Sequence, residues 1–180
     1  MLIDADQSCL VVVDVQQRLA PAIAGCEEVI ANCKLLLRAG ARLGVPALFS
    51  EQYPKGLGPT VAALAPWAKG GTRIEKLAFS CMGEKAFVER LNALKRRQVV
   101  VCGMEAHVCV LQTAMEIRQA GFDCFVVADA TGSRRKDSKV LALDRLARHG
   151  VEIVTAEMVV FEWLGRAGSE VFREVSALLK

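Results

Sequence analysis

The feature that most constrains this chain is a repeated order: a segment of helical period, a glycine, then a short apolar run. Helical spacing of Val29, Ile30, Cys33, Leu36 and Leu37 predicts a helix over 27–43, stopped by Gly44 and Pro46 before "PALFS". Val110, Leu111, Ala114 and Ile117 predict another over 107–120, closed by Gly121 before "FDCFVVAD". Val140, Leu143 and Ala147 repeat the pattern over 137–149, closed by Gly150 before "VEIVT". Residues 84–94 and the tail from Ser169 add two more helices. Strands separated by helices in this way build a parallel sheet with right-handed crossovers. Six runs read as its strands, over 9–15, 46–50, 71–75, 98–103, 122–129 and 151–155. Four of them are rich in Val and Ile and barely alternate, as strands covered on both faces must.

The 180 residues fit one domain, 1–180, with no internal repeat, linker or low-complexity stretch. Aromatics are scarce at 6%, which favours a core of Ala, Val and Leu between helices and sheet. A net charge of +3 without a basic stripe argues against a nucleic-acid partner. "LKRRQ" and "SRRKDSK" read as a solvated helix end and a surface loop. No apolar run approaches the ~18 residues of a membrane span, and the N-terminus lacks the basic and apolar regions of a signal peptide. Seven cysteines, without a C-x-x-C pair, make neither a disulfide framework nor a zinc knuckle. The expected setting is therefore reducing and cytoplasmic, with most cysteines acting as small apolar fillers. The longest irregular stretch, 51–71, is rich in Gly and Pro, as functional loops and lids are.

Ligands of open parallel sheets bind outside the carboxyl ends of the strands, where strand order reverses. The first strand delivers Asp14 to that rim, the third Lys76, and the fourth, through the turn "MEAH", Cys109. A carboxylate straight after "LVVV" is near-buried and needs partners. Lys76 has the ordinary alternative of a surface ion pair with Glu75, and Cys109 that of a core cysteine. A helix N-terminus and a nearby lysine both favour a thiolate at Cys109. A C-x5-R phosphatase loop fails because position 115 is Met115. His107 is two residues from Cys109, and on a helix such positions face apart. His149 reads as a helix C-terminal residue, so a carboxylate such as Asp14 is left to take the thiol proton. Two distant histidines build no metal site, and "DVQQRLAP" after the first strand lacks the glycines of a pyrophosphate turn.

Together, "VVVDVQQ", "RIEKLAFS" and "VCGMEAHVCVLQTA" resemble the isochorismatase-like cysteine hydrolases, a family that includes nicotinamidases and N-carbamoylsarcosine amidases. The similarity continues through "VADATGSR" and "ALDRLARHGVEIVTAEMVVFEWL", and the loop "SEQYPKGLGPTV" looks most like the isochorismatase-domain hydrolases. The resemblance implies a three-layer α/β/α Rossmann-like fold with a six-stranded parallel sheet in the order 3-2-1-4-5-6. It implies Asp14 as general base, Lys76 as cationic partner and Cys109 as nucleophile. It further implies a cis peptide at Met104–Glu105, which turns the Glu105 N–H toward the same spot as that of Cys109 to form an oxyanion hole. Gln16, Gln52, Tyr53 and Phe79 are the expected pocket wall, with plain core as the alternative for Phe79. Nicotinamidases carry an Asp/His metal cluster after the second strand. Here "SEQYPKGLG" has no histidine, so neither metal nor cofactor is expected. Retention of Cys109 favours hydrolysis of a C–N bond in a small amide through a thioester. The rival expectation is a binding or redox-responsive module on the same fold; a dinucleotide oxidoreductase is the third. The apolar tail "MVVFEWLGRAG" either supplies an interface of a homo-oligomer or closes the core of the chain.

Overall fold

The computed structural model describes residues 1–69 and 72–179. Six strands form one sheet: β1 (Ser8–Val13), β2 (Ala47–Gln52), β3 (Arg73–Lys76), β4 (Gln98–Met104), β5 (Asp123–Gly132) and β6 (Glu152–Val154). Their order is β3-β2-β1-β4-β5-β6, and every pairing is parallel. This is the expected three-layer fold, and the strand order reverses between β1 and β4. Of the expected third strand, Gly71 lies outside the described residues.

Seven helices cover the sheet among the described residues. They are α1 (Cys26–Leu43), a single turn α2 (Pro54–Leu57), α3 (Lys85–Ala93), α4 (Leu111–Gln119), α5 (Lys136–Arg148), α6 (Ala156–Leu164) and α7 (Glu170–Ser176). Period-two side chains divide the central strands between two apolar layers. Leu10 and Val12 of β1 join Val100 and Cys102 of β4 against α1 and α6. Cys9, Val11 and Val13 join Val99 and Val101 against α3 and α4. Every residue of β1 and β4 is buried, which explains why neither strand alternates in sequence.

The apolar tail closes the core. Val159, Val160 and Trp163 of α6 are buried, and Trp163 Nε1 donates to the buried Ser8 Oγ at 3.1 Å. Met158 and Phe161 on the same helix remain exposed. The loop after β2 is knitted to the segment after β1. Gln16 forms an isolated bridge with Thr60, and the N–H groups of Gln17, Arg18 and Val61 complete the seam with Pro59, Leu57 and Val15 carbonyls. Glu51, itself buried, accepts from the Thr60 N–H at 2.7 Å and its hydroxyl at 2.8 Å.

Candidate active site

The sheet register brings the site together. Val13 of β1 lies opposite Ser50 of β2 and Gly103 of β4, and Gln52 of β2 lies opposite Lys76 of β3. Gly103 is required at this point. Its φ is +120°, and a Cβ there would sit 2.0 Å from the Val13 carbonyl oxygen. Only glycine lets β4 pass so close to the end of β1. Next along β1, Asp14 takes φ +49°, a left-handed conformation that Asp tolerates better than most residues and that marks functional turns. The pairing of β4 with β5 shifts register after Val101, which prolongs β5 to Gly132 along the site.

Asp14 is fully buried. Its Oδ1 accepts from Ser50 Oγ at 2.7 Å. Lys76 Nζ stands 2.7 Å from Oδ2, and the two form a buried ion pair. The same ammonium donates to Gln52 Oε1 at 2.6 Å and to the Phe79 and Ala78 carbonyls at 3.0 and 3.3 Å. Lys76 is thus a fixed charge. Burial works against its charged form, yet the Asp14 carboxylate more than offsets this and raises its pKa.

Cys109 sits in a π-helical turn, Ala106–Val110, that enters α4. The residue is 6% exposed, with Sγ 4.0 Å from Gln52 Oε1. Burial pushes the thiol up to about 12, and the Asp14 carboxylate pushes the same way while Lys76 pulls it down. Burial thus opposes the thiolate character that a helix N-terminus and a nearby lysine would favour. The helical turn begins at Ala106, so Cys109 lies in its first turn, but the lysine charge beside it is already engaged by a carboxylate. Cys102 is on the opposite side of the sheet, 3.6 Å from Cys33 Sγ and fully buried.

The Met104–Glu105 peptide is cis, as expected. Among the described residues, none accepts a hydrogen bond from the Glu105 N–H. The Glu105 carboxylate accepts from the Arg134 N–H at 2.9 Å and from Arg134 Nε at 3.1 Å. His107 points away from the thiol, its Nδ1 3.0 Å from Ser133 Oγ.

With the geometry in hand, the kinship of the chain is clear. The isochorismatase domain model matches residues 8–158, which spans every strand and both sides of the site. The chain belongs to the isochorismatase family. It is 36% identical over 172 residues to isochorismatase domain-containing protein 2 of Danio rerio, covering 96% of this chain and 86% of that protein. A Caenorhabditis elegans structure described as MAR1 ribonuclease superposes with a TM-score of 0.92 at 33% identity, covering 99% of this chain and 92% of that one. A Pseudomonas aeruginosa YcaC protein, solved with hexane-2,5-diol and covalent acrylamide, shares the fold, with a TM-score of 0.92, 21% identity and coverage of 98% and 91%.

Isochorismatase-family nicotinamidases place a metal cluster after the second strand. Here that position holds Gln52 and Tyr53, and among the described residues no three His, Cys, Asp or Glu side chains are grouped to hold an ion. Asp14 already faces an ammonium, so these residues do not fit a divalent cation. The four residues expected to line the pocket fall into two classes. Gln16 is fully buried, and its amide is spent on the Gln52 N–H and on the Gln52 and Gly58 carbonyls. It holds the end of β2 rather than facing a ligand. Gln52 is half-buried beside the thiol, whereas Tyr53 and Phe79 are exposed at the rim, so Phe79 is not core. A cavity of about 350 Å³ opens beside Lys76, lined by Tyr53, Lys55, Leu77 and Glu84 among others.

Two members of this constellation escaped sequence reasoning. Ser50, the hydroxyl on Asp14, looks like any strand serine; only its register opposite Val13 reveals it. Cys81 is a second buried thiol close to Asp14, pushed up to about 11 by burial and by that carboxylate. Its signal was the short spacing from Lys76 in "RIEKLAFSC".

Proposed function

We propose that this isochorismatase-family chain is a cysteine hydrolase that cleaves the C–N bond of a small amide or related carbonyl compound through a thioester on Cys109. The observation that carries this reading is a buried carboxylate, Asp14, held between the Ser50 hydroxyl and the Lys76 ammonium and close enough to the Cys109 thiol to push it up. Because burial pushes the thiol up to about 12, the thiol needs a base beside it to take its proton during attack. Asp14 takes the proton as sulfur bonds to the carbonyl carbon, and the C=O π pair moves to oxygen. The N–H groups of Glu105 and Cys109 receive that oxyanion; one such donor is typically worth about 3–4 kcal/mol. Asp14 passes its proton to the nitrogen, the C–N bond breaks and ammonia or amine departs. Water then gives Asp14 a proton as it attacks the thioester, and the acid leaves as the proton returns to sulfur. Lys76 stays charged throughout and holds the carboxylate in place. Gln52, Tyr53 and Phe79 form the approach to the thiol.

A cysteine only 6% exposed suits a small molecule better than a polymer. The reading includes a homo-oligomer of this chain, supported by exposed Leu77, Phe79, Val140 and Leu141. The test is a screen of primary amides and ureido acids read by ammonia release, with an RNA arm because a relative is described as a ribonuclease. On a turned-over substrate, Cys109→Ala should cost more than about a thousandfold in kcat while circular dichroism is unchanged. Full activity of Cys109→Ala would sink the proposal; reversible Cys109 oxidation without turnover of any substrate would favour the redox-responsive alternative.

A further inference from the structure

The corner between β5 and α5 touches the cysteine turn at two points. Glu105 is buried and gives both carboxylate oxygens to Arg134, to its Nε at 3.1 Å and to its backbone N–H at 2.9 Å. Two residues on, His107 Nδ1 meets the buried Ser133 Oγ at 3.0 Å. Ser133 is tied in turn, its carbonyl accepting from the Ala24 N–H at 3.1 Å. These contacts bracket the Glu105 backbone N–H, which finds no acceptor among the described residues. A buried carboxylate one residue from a developing oxyanion would oppose it, unless a cation drew its charge away. Arg134, with its guanidinium largely in solvent, does so. Its backbone N–H also fixes where the Glu105 side chain, and hence its peptide plane, can sit.

We infer that the Glu105–Arg134 pair is a positioning device that aims the Glu105 N–H at the reacting oxygen, so that the corner after β5 controls the oxyanion pocket of a site on β1, β3 and β4. This rests on the hydrolase reading above. Glu105 acts here through its side chain on its own peptide, and Arg134 acts only through Glu105.

The experiment needs no substrate. Acrylamide and iodoacetamide both consume the thiolate, but they place charge differently. When sulfur bonds to the β-carbon of acrylamide, the C=C pair shifts toward the carbonyl and negative charge grows on oxygen before a proton reaches the α-carbon. Iodoacetamide loses iodide and builds no oxyanion. The ratio of the two rates at Cys109, measured by peptide mass spectrometry, therefore reads the pocket separately from thiolate supply. Cys26, half-exposed at the start of α1, is the internal reference. The ratio at Cys109 should exceed that at Cys26. Glu105→Ala should lower it on the order of tenfold. Arg134→Ala should lower it too, and the double variant no further, because the two act as a unit. Glu105→Gln, which keeps an acceptor for the Arg134 N–H, should retain most of it. If both reagents slow equally in Glu105→Ala and Arg134→Ala, or neither slows, the pair is merely structural and the inference falls alone. If the wild-type ratio at Cys109 equals that at Cys26, the oxyanion pocket falls and this inference with it.

Discussion

Replacing Asp14 by Asn should accelerate one reaction of Cys109 and abolish another. The thiol stands at about 12 through burial first and the Asp14 charge second, with Lys76 opposing both. Asn keeps the shape, removes the negative charge and leaves the lysine charge unopposed. An adjacent charge typically moves a pKa by about 1–3 units. Far below the pKa, each unit of lowering raises the thiolate fraction tenfold. The weaker basicity of that thiolate returns a little under half of the gain, because nucleophilicity falls with a slope of about 0.4–0.5. Iodoacetamide should therefore label Cys109 about 3- to 60-fold faster in Asp14→Asn than in the wild type near neutral pH. In both proteins the rate should climb with pH, since only the thiolate reacts and the titration lies far above neutrality. Peptide mass spectrometry over time measures it, with half-exposed Cys26 expected to label before Cys109 in the wild type. Amide turnover should move the opposite way, because Asn cannot accept the proton. Labelling that is unchanged or slower in Asp14→Asn would refute the reasoning, since the Asp14 charge would then not be holding the thiol up.

Two further outcomes follow from the rim. Lys76→Met leaves the fully buried Asp14 carboxylate with Ser50 as its remaining donor. Urea unfolding should show a loss of about 3–5 kcal/mol, largely recovered in the Lys76→Met/Asp14→Asn double variant, where no charge is stranded. Gly103→Ala drives a Cβ to 2.0 Å from the Val13 carbonyl at φ +120°. It should lower stability by well over ~1 kcal/mol and shift the amide resonances of Val13 and Asp14, whereas unaltered spectra would show the β1–β4 approach to be looser than described.

The central strands were legible because burial on both faces demands unbroken apolar runs. β1, β4 and β5 sit where Val-rich segments foretold, and α1 ends at Leu43 before a left-handed Gly44. The helix α6 was harder to read. Its mean apolar character is high and its period weak, since Val159, Val160 and Trp163 face the core while Met158 and Phe161 do not. The site was legible as three strand ends sharing a rim. The upward push on the thiol was not, because sequence shows a helix start and a lysine but neither how deeply Cys109 is buried nor how completely Lys76 is engaged. Gln16 misled for a similar reason: a polar residue next to Asp14 looks like a ligand contact until its amide is seen joined to backbone.

By itself, the sequence determined the parallel sheet, the family resemblance and the three residues that meet at the rim. Those depend on period, turn residues and chain order, which are local properties. Tertiary structure alone decided the burial of Cys109, the hydroxyl that Ser50 lends to Asp14 and the grip of Arg134 on Glu105. Each arises where segments distant along the chain meet at ångström range, and both desolvation and hydrogen bonding depend on that range rather than on sequence spacing.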